Sequence, residues 1–394
     1  MTILGPQGGP SPALISSFAL ACGVAVANLY YVQPLVGPVG QSLHLSVEAS
    51  ALVVTTMQLG YVAGLIFFVP LGDLIENRKL ILVTLGGLVA ACLAASVSPS
   101  APFFMACCLC VGLTTTAAQM LIPLAAHLSP EERRGRIVGT VMSGLLIGIL
   151  LARPFSTLVA GFVGWRGMFV ISAAFSTAVI ALLAAVLPRH VPGGGLHYGR
   201  LLASLWPLLR DTPVLRRRAF YQACLFGAFS LYWTAIPLVL TQPPFSLGPA
   251  ALSLFMLSGA AGAFVAPLAG WLADHGYSRQ ATAMAFALAA LAFGLAYAGA
   301  ASIPLLVLAG IVLDAGVQGS VVIGQRAIYS LGPQVRSRLN ALYLSLFFCG
   351  GALGSALAGL SFAHGGLPLI CAIGLAFPAA AAAVFLTEGT EARI

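Results

Sequence analysis

Of the 18 basic and 10 acidic side chains in this chain, only Arg153 and Asp314 lie deep inside long apolar runs. A charge at bilayer mid-depth costs about 2.5–3.5 kcal/mol on insertion scales, so it is kept for a function or for a buried partner. Asp314 sits near the middle of its run, with Gln318 one helical turn below on the same face. Desolvation raises a carboxyl's proton affinity and a nearby arginine lowers it. A carboxylate exposed alternately to two environments can therefore take up and release a proton. The competing reading makes Asp314 a permanently ionised partner of Arg153 or of a helix dipole. Arg153 lies 17 residues beyond Arg136, roughly 25 Å along a helix. Three roles are open to it: snorkelling outward, pairing with Asp314, or attracting an anionic substrate.

Other polar and aromatic side chains inside apolar runs are candidates for the wall of a solute cavity. They are Asn28, Tyr31, Gln33, Gln119, Tyr221, Gln222, Tyr232, Trp233, Gln318 and Gln325. Amide and phenol groups give adaptable hydrogen bonds, and aromatic faces accept flat apolar solutes or cations. An interfacial aromatic belt competes for Tyr30, Tyr232 and Trp233. Inter-helix hydrogen bonding competes for Asn28, Gln33 and Gln119, and Gln58 offers a further amide.

The elements that carry these residues are read from composition. The 394 residues are 60% hydrophobic and 7% charged, with a mean hydropathy of +1.01; soluble domains are about 25% charged. The apolar runs reach the roughly 20 residues that a helix needs to cross a bilayer. They are continuous rather than alternating, which excludes a barrel and leaves a helical bundle. Twelve spans are expected, at about 12–37, 48–71, 79–98, 102–126, 137–160, 166–187, 218–240, 249–272, 279–299, 302–327, 338–361 and 366–386. The segment from about Pro12 lacks a basic leader and reads as the first span rather than as a cleavable signal.

With the N-terminus inside, sixteen basic residues fall on the inner side, from Arg78 and Lys79 to Arg393, and Arg166 alone on the outer side. That asymmetry predicts two cytoplasmic termini in a cell inner membrane. The net charge of +8 is thus a topology signal and not the footprint of a nucleic-acid partner. Cys107, Cys108 and Cys110 lie in an apolar run without a histidine cluster, so they read as small packing residues. No metal or cofactor site is expected. There is no phosphate-binding loop and no Ser–His–acid set, so an enzyme is not expected either.

A basic connection at 188–217 divides six spans, 1–187, from six, 218–394, and the halves echo one another. Leu71-Gly72-Asp73 recurs as Leu272-Ala273-Asp274, and Arg134-Gly135-Arg136 recurs as Arg336-Ser337-Arg338 about 200 residues later. Parallel six-helix repeats are the layout of one large class of transporters.

The same residues carry a family signature. Gly270-Trp271-Leu272-Ala273-Asp274-His275-Gly276 with Arg279 resembles the cytoplasmic motif of the major facilitator superfamily. Pro70-Leu71-Gly72-Asp73 with Arg78 and Lys79 is a degenerate first copy, having Val69 and Glu76 where glycines are usual. Asn28 to Pro34, Gly144 to Arg153, Gly164-Trp165-Arg166 and Asp314 to Gln318 with Gln325 resemble its bacterial drug and solute efflux branch. The resemblance implies two halves rocking about a central site. It also implies a cytoplasmic latch in which Asp73 works with Arg78 and Asp274 with Arg279. Arg134, Arg136, Arg336 and Arg338 either join that latch or set topology. In the fifth span Gly144, Gly148 and Pro154, and in the eleventh Gly350 and Gly354, suit close helix packing. Ile149 and Arg153 replace the proline and final glycine of the antiporter motif, which weakens an antiport assignment from that motif.

The reading that follows is a secondary transporter, without cofactors, exporting a small-molecule substrate in exchange for protons across a lipid bilayer; a monomer suffices. Its rivals are a proton-coupled importer or uniporter of a small metabolite, and a membrane sensor that transports nothing.

Overall fold

The structure is a computed structural model describing residues 10–191, 197–332 and 335–388. Residues 192–196 of the basic connection, and Arg393, lie outside the described residues. In chain order the helices are α1 (Pro12–Ala27), α2 (Val36–Ser42), α3 (Val47–Phe67), α4 (Asn77–Ser96), α5 (Ala101–Thr115), α6 (Ala117–His127) and α7 (Arg134–Val186). They continue with α8 (Tyr198–Ala203), α9 (Leu205–Asp211), α10 (Pro213–Leu240), α11 (Pro249–Leu257) and α12 (Ala266–Asp274). The last three are α13 (Ser278–Ala298), α14 (Ile303–Tyr329) and α15 (Arg336–Leu386). No β-strand occurs among the described residues.

Nine helical stretches among these residues are long and apolar enough to cross a membrane, and Pro12–Ala27 is a shorter apolar helix. Prolines start many of them: Pro12, Pro102, Pro213, Pro249 and Pro304 all stand in first turns. There the missing N–H has no intrahelical partner to lose. Before Pro12, Ser11 caps α1 by accepting from the Leu14 N–H at 3.3 Å.

The 53-residue α7 and the 51-residue α15 both bend back on single glycines. Gly164 in α7 has φ 72° and Gly366 in α15 has φ 55°. The two turns lie 202 positions apart, and a side chain would be strained in that left-handed region. Just beyond the first turn, Arg166 lies over the Trp165 ring, 4.2 Å from its centroid, and donates to the Ser98 carbonyl at 3.0 Å.

The chain divides into two compact units. One comprises Met1–Leu35 and Thr56–Leu205; the other comprises Val36–Thr55 and Trp206–Ile394. The segment 36–55 thus clusters with the later helices. Thr55 shares a 2.8 Å hydrogen bond with Ser355, and a Cβ on Gly359 would lie 2.8 Å from Ala51 Cβ.

Each unit is clamped by a backbone-to-backbone helix crossing. In the first, Gly144 and Gly148 of α7 lie on the backbone of Ala19 and Gly23 of α1. In the second, Gly350 and Gly354 of α15 lie on the backbone of Ala223 and Gly227 of α10. Without a hydrophobic driving force in lipid, such close approach of small residues supplies the dispersion contacts that hold helices together. Large apolar side chains such as Phe162, Val83 and Leu254 point outward, as expected where the surrounding medium is hydrocarbon.

Candidate functional site

In the second unit, Tyr232 and Trp233 of α10 both reach α14. Tyr232 donates its hydroxyl to the Leu306 carbonyl at 2.5 Å, and Trp233 Nε1 donates to Asp314 Oδ1 at 2.7 Å. Leu306, Gly310 and Asp314 follow at four-residue spacing, so they line one face of α14. Gly310 keeps that face open, since a Cβ there would lie 3.3 Å from the Trp233 ring. Asp314 is 2% exposed and Trp233 is fully buried. An ionised carboxylate at such depth is tolerable only with strong donors, and a charge-assisted bond is about twice as strong as a neutral one.

The third wall is the stretch Ser258–Val265 between α11 and α12, which winds as a 3-10 helix. Runs of that kind longer than about four residues are uncommon, and inside a helix they mark a hinge or strain. Its glycines press on the pair. A Cβ on Gly259 would lie 2.7 Å from Trp233 Cζ2 and 2.9 Å from Asp314 Oδ2, and one on Gly262 would lie 2.8 Å from the Ala315 nitrogen.

These glycines were not picked out by sequence reasoning, although the internal repeat contains the signal. Shifted by 202 positions, Gly60 becomes Gly262 and Gly112 becomes Asp314. In the first unit the corresponding crossing is plain backbone packing: a Cβ on Gly112 would meet the Tyr61 nitrogen at 2.8 Å, and one on Gly60 would meet the Leu109 carbonyl carbon at 2.9 Å. Asp314 thus places a carboxylate where the other repeat has only backbone.

Among the remaining cavity candidates, Asn28, Gln119 and Tyr221 have distinct local partners within their own units. Asn28 bridges three helices, donating to Val24 O at 2.9 Å while its oxygen accepts from Ser172 and from Cys92. Gln119 donates to the Tyr61 hydroxyl at 3.1 Å, and Tyr31 packs 6.3 Å from Phe155. Gln33 and Gln222 are fully buried, and none of their amide atoms has a hydrogen-bond partner among the described residues. Tyr221 of α10 contacts a carboxylate and two rings. Its hydroxyl donates to Glu388 at 2.8 Å, and its ring joins Phe286 and Phe385 in edge contacts. Gln318 is half-buried. Gln325 instead lines an open cavity of about 480 Å³ with Val322, Arg326, Tyr329, Ser330 and Arg336. Arg153 is 1% exposed, and its carbonyl accepts from Ser156 at 3.1 Å and Thr157 at 2.8 Å just beyond Pro154.

The charged loop residues pair differently from the sequence expectation. Asp274 forms its ion pair with Arg326, not with Arg279. Arg279 lies instead over the Phe385 ring, 5.3 Å from its centroid. The family resemblance implied the pairing with Arg279, but the end of α14 brings the Arg326 guanidinium to Asp274. Arg78 donates to the Ala184 carbonyl at 2.6 Å, and Asp73 ends a 3-10 turn, Val69–Asp73. Arg134 donates to Ala126 O at 3.1 Å, and Arg336 to Tyr329 O at 3.0 Å. Both cap the end of the preceding span, where a cation complements the helix dipole. Arg136 is exposed, and Arg338 stands in the first turn of α15. Outside the spans, His190 packs against His127 with ring centroids 4.3 Å apart. Burial, and then the neighbouring imidazole, lower its pKa below the ordinary 6.5.

The model of the Major Facilitator Superfamily matches residues 15–331. The chain belongs to that superfamily. This facilitator is 39% identical over 368 residues to the uncharacterized transporter YgaY of Escherichia coli O157:H7, with 92% of each chain covered. It is 35% identical over 373 residues to a probable transporter of Streptomyces coelicolor, covering 94% of this chain and 86% of that one. Among solved structures, it matches the nucleoside transporter NupG with a TM-score of 0.77 at 14% identity, over 95% of this chain and 98% of that one. At that identity the likeness is one of fold. The facilitator and its relatives are multi-pass membrane transporters of small molecules, not enzymes.

Proposed function

We propose that this facilitator is a proton-coupled exporter of a small organic solute in the cell inner membrane, working by alternating access. It has twelve spans and two cytoplasmic termini. Nine long stretches supply most of the spans, with Gly164 and Gly366 dividing two of them, and Pro12–Ala27 begins the first. The two six-span repeats occupy 1–187 and 218–394, joined by the basic connection 188–217, and a monomer carries the whole path. The positive-inside charge distribution supports that orientation.

One observation carries the coupling assignment. Asp314 is a buried carboxylate held by an indole at a helix crossing whose counterpart in the other repeat is glycine. Packing alone is satisfied by glycine there, so the carboxylate answers a chemical need. Gln33 and Gln222 support solute lining, since buried amides are ordinarily hydrogen-bonded and these have open donors and acceptors among the described residues.

The test is collapse of a pH gradient in inside-out vesicles challenged with a panel of organic solutes. Wild type is compared with Asp314→Asn at equal expression. Solute-dependent proton release by wild type and none by the variant is the expected result. Unchanged proton-driven transport in the variant overturns the coupling role, and solute flux without proton movement assigns uniport.

A further inference from the structure

We infer that Trp233 is the positioning residue of the Asp314 carboxylate, holding its ionised form through the indole N–H beneath the glycine face of residues 258–265. The inference rests on the reading of Asp314 as the coupling group. Trp233 reaches that position because Tyr232, its neighbour in sequence, pins α10 to α14 two turns away at Leu306. The ring is wedged between Gly310 of α14 and Gly259 of the 3-10 segment, and the Phe255 ring packs 6.0 Å away. Three glycines, 259, 262 and 310, therefore serve one contact, and larger residues at 259 and 262 would displace the indole or the carboxylate.

When Asp314 releases its proton, the carboxyl O–H bond breaks, the oxygen keeps the electron pair and the proton passes to water on the open side. The indole N–H then faces a full negative charge. In the protonated state it faces a neutral oxygen, and the bond is about half as strong. The indole thus favours release. On α10, Tyr232 faces Asp314, and its proton is committed to Leu306. The 3-10 segment presents glycines, and α13 presents Ala285 and Leu288 beneath Gly316. Farther along α14, Gly319 faces Ala269 of α12, and Gly324 faces Tyr343 of α15.

The test is infrared difference spectroscopy of the full-length protein in lipid nanodiscs, following the protonated carboxyl band through a pH titration. Asp314→Asn identifies the band by its loss. Trp233→Phe keeps an aromatic ring and removes the N–H, and the midpoint is expected to rise by about one pH unit. Retained helix content and monodisperse elution establish folding. If that variant does not fold, Gly259→Ala carries the test, because its methyl must push the indole from the carboxylate and raise the midpoint in the same direction. A band that titrates in wild type and is unmoved in the folded variants overturns the role of Trp233 alone. If Asp314→Asn removes no titrating band, the coupling reading fails and this inference with it.

Discussion

Gly148 meets Gly23 with no side chain between them: a Cβ at 148 would lie 2.7 Å from the Gly23 carbonyl carbon. Gly354 meets Gly227 in the same way in the other unit, with the corresponding distance again 2.7 Å. The two units therefore each have a clamp of the same kind, at the level of individual atoms.

Gly148→Ala and Gly354→Ala are each expected to destabilise the protein by about 1–3 kcal/mol, the usual cost of overpacking. A Cβ added at Gly86 would have nothing within 4 Å, so Gly86→Ala leaves stability unchanged or slightly raised. Thermal unfolding in detergent, followed by size-exclusion chromatography, separates these outcomes.

Tyr221→Phe removes one hydrogen bond, to Glu388, and is expected to lower stability by roughly 1 kcal/mol while leaving solute affinity unchanged. A changed transport KM with an unchanged melting temperature would return Tyr221 to the cavity wall.

The Asp274–Arg326 pair is half exposed, at 59% and 48% of the side chains, so neutralising Asp274 should cost less than about 1 kcal/mol. Its effect is expected on transport rate. Asp274→Arg with Arg326→Asp should recover part of the rate lost by either single change, whereas Arg279→Gln should leave the pair intact. Initial rates of solute flux in wild type and these four variants decide this, and additive losses in the double variant would argue against the pair.

His190 binds its proton less readily in the folded state than in the unfolded chain, whose value is near 6.5. Below that value the unfolded state holds more protons, so stability declines as the pH is lowered. The contribution is fully present above about pH 6.5 and is lost toward the folded pKa. His190→Gln should flatten that limb of a melting-temperature profile. An unchanged profile would show that the imidazole does not carry it.

The sequence by itself determined much of this protein. Continuous apolar runs that exclude strands settled a helical membrane protein, because a hydrocarbon solvent permits few backbone solutions, and the motifs that resemble the major facilitator superfamily pointed to a transporter. The isolation of Asp314 and Arg153 was legible for the same reason: a charge in an apolar run stands out. Tertiary structure alone decided which side chains meet. Arg326 rather than Arg279 pairs with Asp274, Tyr221 turns to Glu388, and Trp233 reaches Asp314 across 81 residues. Those partnerships depend on which face each helix presents at a crossing, and in a span apolar all round no periodicity marks that face.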